Sequence, residues 1–123
     1  LIASTALGIS ILQGGNRAGA ATSNDDLIAR GAYLTGGAGQ CADCHRPDFG
    51  GGPNLIRPRP NVPWATTVPS LRGLPMFKND ADAIAFLRTG KLPDGSSALA
   101  PMPGYRFNEA DATAIVAYFR SLK

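Results

Sequence analysis

Apolar residues recur with a helical period in three stretches of the chain, and nowhere with a convincing strand period. Leu27, Ile28, Gly31 and Leu34 share one face behind Ser23 and Asn24, either of which can cap a helix, with Asp25 and Asp26 suited to its first turn. Gly36-Gly37 ends that helix. A second is capped by Asn79, runs through Ala83, Ile84 and Leu87 to about Thr89, and stops at Gly90. The third starts behind Asn108, with Glu109 and Asp111 in its first turn and Ala112, Ile115, Val116, Phe119 and Leu122 along one face. Arg120 and Lys123 lie at its C-terminal end, where positive charge is favoured. Between the first two helices, Arg46 to Gly73 is broken by prolines and by Gly50-Gly51-Gly52. That composition predicts irregular loop, with a short helical turn near Pro69-Ser70-Leu71.

The N-terminal stretch has a different pattern. The first twelve residues are apolar or small and carry no charge, Gln13 follows them, and a small, polar, Gly-rich stretch runs over 14–23. Ala18-Gly19-Ala20 has the form of a small-x-small cleavage site. The chain begins at Leu1 without Met or a basic leader, so the numbering is expected to start part-way along a longer precursor. Twelve helical residues span about 18 Å, roughly half a bilayer core. We expect residues 1–13 to be part of a membrane anchor or an uncleaved signal, 14–23 a flexible linker, and 24–123 one folded domain. The alternative for 1–13 is a surface tail.

Composition narrows the class. Apolar residues at 44% and charged residues at 17% describe a folded chain. Fifteen glycines and ten prolines mean short elements joined by long loops. A net charge of +3 without a Lys/Arg cluster excludes a nucleic-acid footprint.

The scarce residues carry the chemistry. Both cysteines and the single histidine fall in Cys41-Ala42-Asp43-Cys44-His45. Two thiols three positions apart on one helical turn can each add across a haem vinyl group, and the next residue then presents an imidazole to the iron. A zinc site would need a fourth ligand, such as Asp43 or Asp48, and no second Cys/His pair exists. A dithiol redox site would sit in a thioredoxin-like alternation of strands and helices, and the flanks are Gly-rich loops instead. Bis-histidine ligation is excluded because His45 has no counterpart in the chain. Met76, Met102, Lys78 and Lys91 are the candidates for a second axial ligand. Met102 is preferred, since Pro101 and Pro103 stiffen its loop and the last helix anchors it.

Residues 24–123 resemble the class I monohaem c-type cytochromes. The matching pieces are Cys41 to His45, Gly52-Pro53-Asn54-Leu55, Pro101-Met102-Pro103-Gly104-Tyr105, and the helical ending Ala112 to Leu122. The resemblance implies an all-α fold of three to five short helices wrapped around one covalent haem c, with long Pro/Gly-rich loops. It implies His45 and Met102 as iron ligands. It implies that Pro53 offers its carbonyl to the His45 Nδ1, and that Leu55 and Trp64 lie against the cofactor, Trp64 by donating its indole N–H to a propionate, with core packing as the alternative for Trp64. Arg57, Arg59 and Arg72 are propionate or docking candidates, with solvated surface as the default. Gly31 and Leu34 match a first helix that crosses the last at Ile115, Tyr118 and Phe119.

Residues 86–95, Phe-Leu-Arg-Thr-Gly-Lys-Leu-Pro-Asp-Gly, are similar to cytochrome subunits that take electrons from membrane-bound bacterial dehydrogenases. Those usually carry several haems, and this chain has one attachment motif. The expected function is one-electron transfer rather than catalysis, as a tethered relay on the extracytoplasmic side of a membrane. Its expected partners are a donor dehydrogenase or quinol-oxidising complex and an acceptor oxidase or cytochrome. The alternatives are a soluble periplasmic shuttle, and a haem sensor or enzyme with a labile sixth ligand.

Overall fold

The computed structural model describes residues 23–123; the apolar segment 1–13 and the linker as far as residue 22 lie outside the described residues. Helix α1 (Asn24–Gly36) opens with a reciprocal cap: the Ser23 hydroxyl accepts the Asp26 N–H at 3.1 Å, and the Asp26 carboxylate accepts the Ser23 N–H. The five-residue helix α2 (Cys41–His45) follows, bounded by Gln40 and Arg46, which both have positive φ. Strands β1 (Gly52–Pro53) and β2 (Thr67–Val68) pair antiparallel, with Gly52 opposite Val68. Helices α3 (Asp80–Thr89) and α4 (Glu109–Ser121) complete the order. The Asn79 and Asn108 side chains cap them by accepting the Asp82 and Asp111 amides, each at 2.8 Å. Gly90 closes α3 in the left-handed conformation, φ 75°.

The sequence pattern had pointed to no strand and to a helical turn at Pro69–Leu71; both expectations are corrected. A two-residue strand is too short to show alternation, and its pairing is imposed by distant partners. Residues 69–71 are not helical because their polar groups are engaged elsewhere: the Leu71 amide donates to the Phe49 carbonyl at 2.9 Å, and the Ser70 hydroxyl donates to the same oxygen at 3.3 Å. The result remains a mostly helical fold.

Helix α4 is the spine. Ile115 and Val116 are fully buried, α1 crosses one side of the helix and α3 packs on another. The crossing depends on Gly31. A Cβ there would stand 2.2 Å from the Ala114 carbonyl oxygen and 2.5 Å from the Tyr118 Cβ. The backbones meet where no side chain fits. Gly31→Ala would gain about 1 kcal/mol in helix propensity. The clash with a backbone oxygen outweighs this gain, and overpacking typically costs about 1–3 kcal/mol beyond it. We expect a net loss of stability, read as a lower midpoint in thermal unfolding by circular dichroism; an unchanged or higher midpoint would contradict this packing.

Long loops are tied to the helices by arginines. Arg120 reaches from α4 to Asp80 at 2.9 Å and donates to the carbonyls of Gly73, Leu74 and Phe77. Arg72 donates to the Asp48 carbonyl at 2.8 Å and to that of Lys123. Phe49, in the loop after α2, turns inward with its ring edge-on to Tyr118 and Phe119.

Candidate functional site

Helix α2 presents Cys41, Cys44 and His45 to a cavity of about 380 Å³. Both cysteines are free, Cys41 buried and Cys44 half-buried. Burial pushes the Cys41 thiol up to about 11, so it stays protonated. A redox dithiol works the other way, through a thiolate stabilised at low pKa. Nor, among the described residues, do three His, Cys, Asp or Glu side chains gather as a metal ion would need. The zinc and dithiol readings therefore lose their support on geometry and electrostatics.

His45 is buried, and its Nδ1 lies 2.8 Å from the carbonyl oxygen of Pro69. A carbonyl only accepts, so Nδ1 carries the proton and Nε2 keeps its lone pair. Burial lowers the His45 pKa below its ordinary value, and the Pro69 bond partly opposes this. The imidazole is thus neutral, in one tautomer and fixed in orientation, as a metal-ligating ring requires.

The expectation for Pro53 is corrected here. Its carbonyl accepts from the Arg46 guanidinium, which also bonds the Cys44 carbonyl at 3.2 Å. Strand pairing explains the exchange. With Gly52 opposite Val68, the residue delivered beside His45 is Pro69, just after β2, rather than Pro53 in β1.

The cavity lies between α2 and the loop 91–105. Ala83, Phe86 and Leu87 of α3 and Phe119 of α4 form its inner wall; Thr67, Val68, Pro69, Leu71 and Leu74 form another. Both methionines line it, but differently. Met102 packs against the core, whereas Met76 is 42% exposed. The Met102 loop is held by three backbone bonds: Met102 N–H to the Leu99 carbonyl at 3.1 Å, Ala65 N–H to that of Ala100 at 2.8 Å, and Phe107 N–H to that of Leu87 at 3.1 Å. Lys78 and Lys91 are not on the cavity wall, and Lys91 Nζ is bonded to Ser97 Oγ at 3.1 Å.

Leu55 and Trp64 both stand off the cavity wall. Leu55 is 79% exposed, and its neighbour Asn54 lines the cavity instead. The Trp64 indole N–H donates to the Ile56 carbonyl at 3.2 Å. Both residues belong to the loop that β1 and β2 close, within which Asn54 also donates to the Ala65 carbonyl and accepts from the Ile56 amide. The Arg72 guanidinium is engaged by main-chain carbonyls as described above, while Arg57 and Arg59 are exposed.

Sequence reasoning missed Tyr105. It lines the cavity, stacks on Phe107 with ring centroids 5.0 Å apart, and donates its hydroxyl to the Gly39 carbonyl. Burial chiefly, then the nearby Cys41, Cys44 and Asp43, pushes its pKa up to about 12. Its place inside Pro101-Met102-Pro103-Gly104-Tyr105 was the signal available, but nothing local identifies its partner.

The residues fit a covalent haem. The volume lies in the range of small-molecule pockets, about 300–1,000 Å³. The lining is almost wholly apolar, and two free thiols and a lone-pair imidazole nitrogen stand on one wall. A thioether stands on the wall as well, in a loop tied at both ends.

Comparison with known proteins agrees. A family model described as cytochrome c matches residues 28–123. The chain is 30% identical over 122 residues to the cytochrome c subunit of the quinone alcohol dehydrogenase of Gluconacetobacter polyoxogenes, and equally to that of Komagataeibacter europaeus. Each match covers 83% of this chain and 26% of the relative, so the chain spans about a quarter of their length. No solved structure matches at the same level of significance.

Proposed function

Because the chain belongs to the cytochrome c family, binds haem c covalently and carries electrons rather than catalysing a reaction, we propose that His45 and Met102 are its axial ligands and that it serves as a tethered relay. When bound, the haem supplies a one-electron Fe(III)/Fe(II) couple. The chain's own residues set the conditions for it. Cys41 and Cys44 hold the group by two thioethers, so it cannot leave in either oxidation state. Pro69 keeps the proton on His45 Nδ1 and leaves Nε2 free to donate. Met102 offers a soft sulfur that favours the ferrous state and keeps small ligands out. Among the described residues no Asp or Glu lines the cavity, and such apolar surroundings also favour the less charged, reduced state.

The observation that carries the ligand set is the packing of half-buried Met102 against the core, in a loop fastened by main-chain hydrogen bonds to Ala65 and Leu87, against the exposure of Met76. The relay reading rests on the relatives, which are cytochrome subunits of a dehydrogenase, and on the apolar residues 1–13. Among the described residues no helix is long and apolar enough to cross a membrane. We assign the tether to 1–13, with the Gly-rich stretch that follows, up to Ser23, as a linker that keeps the haem domain at high effective concentration near its partner. Haem attachment to this motif takes place on the extracytoplasmic side in the family, and we place the domain there. Its partners in this reading are a donor dehydrogenase or quinol-oxidising complex and an acceptor cytochrome or oxidase.

One preparation tests both parts. The native haem-loaded protein should stay with membranes through a salt wash and leave them in detergent, and its ferric spectrum should show a long-wavelength sulfur-to-iron charge-transfer band. Recovery in the soluble extracytoplasmic fraction would reject the tether. A high-spin spectrum that changes on adding small ligands would reject Met102.

A further inference from the structure

The loop bearing Met102 and the loop leading into Cys41 face each other across the cavity, and a single side chain joins them. The Tyr105 hydroxyl donates to the Gly39 carbonyl, a bond between residues 66 apart in the chain. Both ends are fixed. The Gly39 amide donates to the Leu34 carbonyl at 2.8 Å, and Gln40 N–H donates to that of Gly37 at 3.0 Å, so the acceptor is anchored to the end of α1. The Tyr105 ring stacks on Phe107, whose amide is bonded to Leu87 in α3. The other bonds of the Met102 loop run to α3 and to residue 65, not to the attachment side.

We infer that Tyr105 is a positioning residue: its bond to Gly39 latches the Met102 loop to the attachment loop and limits how often the sulfur leaves the iron. This rests on the reading of Met102 as the sixth ligand. Moving Met102 away from His45 means moving its loop away from α2, and among the bonds described the Tyr105 hydroxyl is the one that directly resists that motion. A hydroxyl suits the task. It stays protonated far above neutral pH, so the latch does not titrate in the working range. It also leaves no charge beside the cofactor in either oxidation state.

Tyr105→Phe removes the hydroxyl and keeps the ring on Phe107. The haem-loaded variant is compared with the parent in two measurements. The first is the rate at which imidazole, added at neutral pH, binds the ferric protein; this rate is limited by release of the native ligand. Loss of one hydrogen bond of ordinary strength should raise it by about three- to tenfold. The second is native-state hydrogen exchange at the Met102 amide, which is bonded to Leu99; it should quicken by a similar factor, whatever the sixth ligand is. Tyr105→Leu, which loses hydroxyl and stacking together, should exceed Tyr105→Phe in both.

A lower melting temperature with unchanged imidazole entry and unchanged Met102 exchange would make the bond merely structural and overturn the latch. Failure of the ligand reading looks different. The parent itself would lack the sulfur-to-iron band, and the exchange measurement would still decide whether Tyr105 holds the loop. Faster exchange would then keep the latch on the loop and remove its effect on the iron, overturning the proposal as stated.

Discussion

Replacing both Cys41 and Cys44 with alanine is expected to abolish haem retention and most of the fold with it. Parent protein run on a denaturing gel should keep its haem, because thioethers survive unfolding; the double variant should show none by haem stain. The structural consequence follows from where the cavity lies. Phe86, Leu87, Leu74 and Phe119 are buried residues that also line it, so the core of a domain of about 100 residues is built around the cofactor's space. Without the haem those side chains border a void of about 380 Å³. Large-to-small changes cost about 24 cal/mol per Å³ of residual cavity, so a void of this order costs up to about 9 kcal/mol unless the walls collapse, comparable to the whole stability of about 5–15 kcal/mol that a domain has. Circular dichroism of the double variant should show strongly reduced helix and no cooperative thermal transition. Native-like melting without haem would mean that the helices hold themselves together.

The second large effect is expected at the other ligand. Met102→Ala should lower the midpoint potential and let imidazole bind the ferric protein without competition. A thioether that prefers ferrous over ferric iron by about a hundredfold raises a one-electron couple by about 120 mV, since each tenfold is about 59 mV. A fall of this order is therefore expected by redox titration. Met76→Ala should leave the potential nearly unchanged, because that side chain is 42% exposed and its removal empties little of the cavity wall. If the two outcomes are interchanged, Met76 is the ligand and the loop around Met102 is only a wall.

Local features of the fold were legible residue by residue. Ser23, Asn79 and Asn108 cap the helices at which their sequence positions placed them, and Gly90 ends α3 as expected. The period of apolar residues in 112–122 set the buried face of α4. Gly31 lies where α1 meets α4, nearest Ala114 and Tyr118, as its place in a first helix crossing the last implied. Each of these depends on groups within about one helical turn, or on a face that a 3.6-residue period defines. Cys41-Ala-Asp-Cys-His45 was legible for the same reason: five adjacent residues contain both thiols and the imidazole, and the comparison with known proteins agrees.

What depended on loop closure was not legible. Pro53 and Pro69 are both prolines in a Pro-rich stretch, and nothing within a few residues of either says which will meet His45. Pairing of Gly52 with Val68 decides it, and that pairing holds together two ends of a loop separated by more than a dozen residues. Trp64 was read as a haem-facing donor, yet the same closure brings the Ile56 carbonyl to its N–H. Arg120 looked like a charge for the helix end, and the tertiary structure makes it the clamp on residues 73–77. Tyr105 had no visible partner because Gly39 lies 66 residues away along the chain. By itself the sequence determined the helices, their caps and the chemistry of the attachment motif, because these are set by neighbours a few bonds or one helical turn apart. The tertiary structure alone decided which carbonyl orients the imidazole and what joins the two walls of the cavity, because a hydrogen bond across a long loop exists only once the whole chain has closed around it.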